Sequence, residues 1–180
     1  MALDKATIAK RYAVALFELT HDQGTDETTM AELSAIREVL VQNPEFTKAL
    51  LSLRINEDTK RQMLATLSED ASQVVKNLIE MTFDYRRIQY LPAIITKYEE
   101  LVDKAAGIVN AIVQTAVPLS DEQVLRLKEK LVDRFQASEV RLTQIVDENI
   151  LGGVIVKAND QILDGSLATK LAAIRQSIIR

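Results

Sequence analysis

The chain has 180 residues, 47% of them hydrophobic, a net charge of −4, no cysteine and one histidine, His21. Such a composition supports a buried core and excludes disorder as the default. It also excludes disulfides, thiol nucleophiles and thiolate metal sites, and leaves no second imidazole for a Ser-His-Asp or multi-His zinc arrangement. Acidic and basic residues are interspersed, so there is no electrostatic footprint for nucleic-acid phosphates.

No apolar run approaches the roughly 18 residues of a membrane span. The densest, Tyr12 to Phe17, is flanked by Lys10, Arg11 and Glu18, and no direct membrane insertion is expected. Asp4, Lys5, Lys10 and Arg11 interrupt any secretory apolar region, and the N-terminus reads as a mature cytosolic start. Apolar residues at a 3.6 period then predict a series of short helices. The first runs from about Asp4 to His21. The second starts near Asp26 as N-cap, passes Leu33, Ile36 and Leu40, and is stopped by Pro44. A third follows Pro44 with Phe46, Ala49 and Leu50. Asn56 caps a fourth that turns Met63, Leu64 and Leu67 inward. A fifth spans about Ala71 to Asp84. A sixth has Pro92 in its first turn and an apolar stripe from Leu91 through Ile94, Ile95, Tyr98, Leu101 and Val102 to Ala105. Together they predict a compact helical bundle.

Near Gly107 the character of the chain changes. Residues 1–106 hold one glycine, seven of the eight Phe and Tyr residues, and 13 Lys/Arg against 17 Asp/Glu; residues 107–180 hold four glycines and 9 against 9. The β-branched run closed by Pro118 predicts a strand. Ser120 and Gln123 form a capping-box pattern for a helix to about Gln136. Val140 to Val146 and Val154 to Ala158 predict two more strands, Ile162 and Leu163 a short further piece, and Ser166 caps a last helix through Leu167, Leu171, Ile174 and Ile178. The reading is therefore a mainly α protein: a helical domain over 1–106, then a small α+β domain over 107–180.

Gly152-Gly153 lacks the spacing of a phosphate-binding loop and leads into a strand, so a bend or close backbone approach is the expected role. Asp160 and Asp164 are too few carboxylates for a hard cation, and turn and cap roles are expected: a hairpin turn at Asn159-Asp160, and a turn into a helix cap at Asp164-Gly165-Ser166. His21 is placed to interact with the carbonyl end of helix one. The pair Arg86-Arg87 either binds an acidic partner or caps helix five.

Helix one carries Tyr12-Ala-Val-Ala-Leu-Phe17, apolar nearly all round, and so must bury two sides. Two readings fit: a central position in the bundle, or the bundle on one side and a partner helix on the other. Helix five has one face of Val74, Val75, Leu78, Ile79 and Thr82 and an adjacent mixed face of Asn77, Met81 and Tyr85. Small Ala13 and Ala15 beside flexible Met81 suit a groove for an amphipathic helix.

These residues together resemble the delta subunit of bacterial F-type ATP synthase, the counterpart of the mitochondrial oligomycin-sensitivity-conferring protein. The resemblance rests on Arg11-Tyr12-Ala13-Val14-Ala15-Leu16-Phe17, on Asn77-Leu78-Ile79 with Arg87-Ile88 and Leu91-Pro92, and above all on Asp147, Ile150, Leu151-Gly152-Gly153-Val154, Asp160, Ile162 and Asp164-Gly165-Ser166. It implies a six-helix N-terminal bundle and a C-terminal domain that attach the catalytic head to the peripheral stalk, without catalysis, metal or cofactor. It implies that the bundle receives the N-terminal helix of an alpha subunit at Tyr12, Ala15, Asn77, Leu78 and Met81. It further implies that the C-terminal domain meets the C-terminal ends of the b subunits, that one copy serves each complex, and that the protein sits peripherally on the cytoplasmic face of the cell membrane. A generic helical adaptor and a small enzyme built on the α+β domain remain as alternatives.

Overall fold

The computed structural model describes residues 4–159 and 161–178, the side chains of residues 173, 177 and 178 aside. It is mostly helical with one small sheet. Two compact units divide the chain, the first ending at Val102 and the second beginning at Asp103.

The first unit contains α1 (Lys5–Gln23), α2 (Asp26–Gln42), α3 (Pro44–Leu51), α4 (Glu57–Leu67), α5 (Gln73–Asp84), a 3-10 turn (Ile88–Tyr90) and most of α6 (Leu91–Ala105). Local chemistry sets most of these bounds. Asn56 accepts the Thr59 amide at 2.8 Å and so caps α4, with Glu57 and Asp58 in the favourable first turn. Pro44 opens α3, where its missing N–H costs nothing. Asp26 is the first residue of α2 and not its cap, which is Thr25. Its carboxylate is drawn instead to the Thr20 hydroxyl at 2.8 Å and His21 Nδ1 at 2.7 Å. Ala105 is exposed and lies outside the apolar stripe of α6, because the helix ends there.

One apolar core runs through this unit, with Ala13, Leu33, Val75, Ile79, Leu91, Ile94, Ile95 and Tyr98 at its centre. Each large side chain so buried contributes about 1.5–3 kcal/mol. Among the described residues the buried side-chain polar atoms of this unit are paired, Ser72 Oγ excepted. Tyr98, fully buried on α6, meets the Thr20 hydroxyl of α1 at 2.8 Å, and burial, partly opposed by that hydrogen bond, raises its phenol pKa. Glu99 on α6 accepts from Ser34 at 2.7 Å and from Arg37, both on α2. Tyr98→Phe should remove the link between α1 and α6 and lower unfolding free energy by about 1 kcal/mol. Urea titration measures this, and an unchanged midpoint would remove the hydroxyl from the list of contributors.

In the second unit, Gly107 carries the chain from α6 into β1 (Ile108–Thr115). Next come α7 (Asp121–Phe135), β2 (Glu139–Val146), a 3-10 turn (Glu148–Ile150), β3 (Val154–Ala158), β4 (Gln161–Asp164) and α8 (Leu167–Ile178). The sheet order is β2-β1-β3-β4, with β1 and β2 parallel and the other pairs antiparallel. The parallel pair needs a crossover, which α7 supplies. Both bonds of the expected capping box start that helix: Gln123 N–H to Ser120 Oγ at 3.3 Å, and Ser120 N–H to Gln123 Oε1 at 2.9 Å. Val109, Ala111, Val113, Val140, Val156, Ala158 and Leu131 of α7 form a second core. Ile112, Ile145 and Ile162 alternate with them along the strands and remain exposed. β3 and β4 pair as far as Ala158 with Gln161, and Asn159 is left-handed at φ 51°. Asp160 lies outside the described residues.

Candidate functional site

On α1 the core takes Ile8, Ala9, Ala13, Leu16 and Thr20. Tyr12 is half-buried, Ala15 is exposed, and Leu19 is 45% exposed. Residues 12, 15 and 19 follow the i, i+3, i+7 spacing of one helix face. The first unit therefore leaves one side of the apolar stretch Tyr12–Phe17 and of the turn after it uncovered.

On α5, Val75, Leu78, Ile79 and Thr82 face the core. Asn77, Met81 and Tyr85 line a second face at four-residue spacing, with Met81 47% and Tyr85 65% exposed. Asn77 accepts from Gln73 at 2.8 Å. Leu78 is only 6% exposed and belongs to the core. Of the five residues that the resemblance singled out, Ala15, Asn77 and Met81 thus present exposed side chains, Tyr12 presents part of one, and Leu78 presents almost none. Leu19 was missed by the sequence reading, although it stands one turn beyond Ala15.

The ending of α5 brings part of the two faces together. Arg86 N–H bonds the Phe83 carbonyl at 2.8 Å and Arg87 N–H the Thr82 carbonyl at 2.7 Å, with Arg86 left-handed at φ 55°. This is a Schellman ending, so backbone amides cap the helix, not the arginine side chains. Arg87 Nη1 donates to the Tyr12 hydroxyl at 3.1 Å. Its guanidinium carbon lies 5.7 Å from the ring centroids of both Tyr12 and Tyr85. Tyr12 of α1 and Tyr85 at the end of α5 are thereby joined through one cation.

His21 does not assemble a catalytic group. Its ring stacks on Phe17 with centroids 5.0 Å apart and pairs with Asp26 at the α1–α2 corner. Among the described residues no cluster of three His, Cys, Asp or Glu side chains could hold a metal ion. No helix of the described residues is long and apolar enough to cross a membrane.

The glycine-rich segment of the second unit is a structural clamp. Asp147 accepts from the Asn149 backbone at 3.0 Å, the Asn149 side chain at 2.7 Å and Gln114 at 2.5 Å, and these bonds, in that order, hold its carboxyl below the usual range. Asp164 accepts from the Ser166 backbone at 2.9 Å and the Thr169 hydroxyl at 2.8 Å, and is lowered in the same way. Buried Ser166 accepts the Thr169 amide at 3.2 Å and caps α8. The strand start and the helix start are tied by Gly165 N–H to Val154 O and Leu167 N–H to Gly152 O, both 2.9 Å.

A carboxyl depressed in the folded state contributes stability above its unfolded pKa, about 3.9 for Asp, and loses it as pH falls through the lower folded value. The second unit should accordingly weaken below about pH 4. Asp164→Asn should reduce stability at pH 7 and flatten that acid dependence. Thermal melts between pH 7 and pH 3 measure it, and an equally steep acid loss in the variant would exclude Asp164 as a source.

Comparisons with known proteins agree with this architecture along the chain. A family model described as ATP synthase delta (OSCP) subunit matches residues 8–178. The ATP synthase subunit delta of Pediococcus pentosaceus is 44% identical over 179 residues, covering 99% of both chains. That of Limosilactobacillus reuteri is 43% identical over 180 residues, covering 100% of both. A chain in the cryo-EM structure of the Toxoplasma gondii mitochondrial ATP synthase hexamer shares the fold, with a TM-score of 0.74 over 97% of this chain and 98% of that one, at 20% identity.

Proposed function

The chain belongs to the ATP synthase delta (OSCP) subunit family, and from that membership we infer its place in the machine. It is a non-catalytic subunit of F-type ATP synthase that links the catalytic head to the peripheral stalk, so that rotation driven by ion flow is coupled to ATP synthesis. The head must be held still while the rotor turns. Each charge that crosses about 100 mV delivers about 2.3 kcal/mol, and the link has to bear the summed load without letting go.

We read the six α-helices up to Ala105 as the family's six-helix bundle, the domain over 1–106 as the part that meets the head, and 107–180 as the part that faces the stalk. The face formed by Tyr12, Ala15, Asn77 and Met81, with Leu78 beneath it, receives the N-terminal helix of an alpha subunit. One observation carries this reading: the Tyr12–Phe17 segment of α1 is apolar nearly all round, yet Ala15 and, one turn on, Leu19 stay uncovered. Helix-in-groove docking at nanomolar strength, about 12 kcal/mol, suits a link under load. In the second unit, the open sheet face with Ile112, Ile145 and Ile162, beside the start of α8, suits the C-terminal ends of the b subunits. The protein is then peripheral, one copy per complex, on the cytoplasmic face of the membrane.

A pull-down from detergent-solubilised membranes with the full chain as bait tests the assignment. Recovery of alpha and b subunits together is expected. Recovery of other proteins without either would favour a generic helical adaptor.

A further inference from the structure

We propose that Arg87 is a charged clamp at one end of this docking face, set to grip a carboxylate on the incoming helix. The inference rests on the reading of α1 and α5 as the helix-binding face.

The observation behind it is an arginine held in place without a counter-charge. Its guanidinium lies over the rings of Tyr12 and Tyr85 and spends one Nη1 hydrogen on the Tyr12 hydroxyl. Among the described residues it makes no ion pair, whereas Arg37 is paired with Glu99 and Arg61 with Asp84. Asp84, the nearest acid in sequence, is thus already engaged, at 2.9 Å. The bond to the Tyr12 hydroxyl and two rings within cation–π distance hold the group, while the edge formed by Nε and Nη2 makes no hydrogen bond among the described residues. A carboxylate takes such an edge in two parallel hydrogen bonds, and a group already immobilised loses little further entropy on pairing.

The neighbourhood selects the occupant. The clamp touches Tyr12 and Tyr85, and further along the same helix faces Ala15, Leu19 and Met81 are exposed and suit the apolar stripe of an amphipathic helix. Exposed Glu80 and a net charge of −4 disfavour a multiply charged phosphate or a nucleic acid more than they disfavour a single carboxylate. The partner is therefore a helix whose apolar stripe is flanked at one end by an Asp or Glu. From Tyr12 to Leu19 is seven residues, so that acid should lie about 10 Å along the helix from the side chain that covers Leu19.

The probe is a synthetic peptide of the alpha subunit's N-terminal segment, titrated into the intact chain at low and high salt. Arg87→Gln should weaken binding about tenfold and flatten its salt dependence. Arg87→Lys, which keeps the charge but loses the fork, should recover only part of the loss. Replacing each peptide acid by its amide leaves the protein untouched. One such replacement should weaken binding to the wild-type chain and have no further effect on Arg87→Gln, as a double-mutant cycle reads coupling. If Ala15→Asp abolishes binding while Arg87→Gln keeps both wild-type affinity and salt slope, the clamp is overturned and the docking face stands. If no peptide acid couples to Arg87, the clamp is likewise overturned. A peptide that ignores the wild-type chain removes docking face and clamp together.

Discussion

Ala15→Asp in the intact chain should weaken binding of an alpha-subunit N-terminal peptide more than about a hundredfold, close to 3 kcal/mol, while circular dichroism stays unchanged. Ala15 is exposed on α1, so an aspartate there meets water and disturbs no packing. Under a docked apolar helix the same carboxylate would be stripped of water with no partner, which costs several kcal/mol. Tyr12→Asp should also weaken binding, but Tyr12 packs against the core and bonds Arg87, so its effect mixes docking with local structure. Undiminished titration of the Ala15 variant, with the fold intact, would remove α1 from the docking face.

The second large effect is expected at Gly153. Its φ is 81°, and a Cβ built there would stand 2.4 Å from the Gly165 carbonyl oxygen and 3.1 Å from Ser166 Cα. Both obstacles are backbone at the point where the strand start is bonded to the start of α8, so neither can yield without breaking that junction. Gly153→Ala should therefore destabilise the second unit by about 3 kcal/mol, from left-handed strain and overpacking together. Gly24→Ala is the control. Its φ is 66° but nothing lies within 4 Å of the added Cβ, so only about 1 kcal/mol should be lost. Urea unfolding of the two variants, with amide exchange in β3 and α8, separates them. Equal losses at the two glycines would mean that close backbone approach contributes nothing at Gly153.

Signals confined to a few residues were legible in the sequence. The Asn56 cap, the Ser120–Gln123 box and the turn at Asp164-Gly165-Ser166 each depend on groups within four residues, and the structure forms all three. Asp26 misled because an acid is favoured both at the cap and in the first turn, and the choice between them was made by Thr20 and His21 across the corner. Faces were harder to read. In β1, Asn110 and Gln114 share the parity of Ile112, so the alternation marks Val113 as inward and Ile112 as outward, although the sequence reading assigned the run as a strand without assigning its faces. On α1, periodicity could not choose between a central helix and one with a free side; the exposure of Ala15 and Leu19 decides that the first unit leaves a side open.

Long-range pairings were beyond reach. The bond between Arg87 and Tyr12 spans 75 residues, and nothing local to Arg86-Arg87 distinguishes it from a helix-capping arginine. The same holds for Tyr98 with Thr20, which are 78 residues apart and look like ordinary core and helix-end positions in the sequence.

The most direct measurement is chemical-shift mapping of the alpha N-terminal peptide on the intact, isotope-labelled chain. Perturbations should concentrate on α1 and the α5 face, at Tyr12, Ala15, Leu19, Asn77, Met81, Tyr85 and Arg87, with β1 to β4 quiet. Perturbations centred instead on the other large exposed apolar residues of the first unit, Val39, Val41, Leu51 and Leu53, or on the sheet of the second unit, would contradict the docking face on α1 and α5.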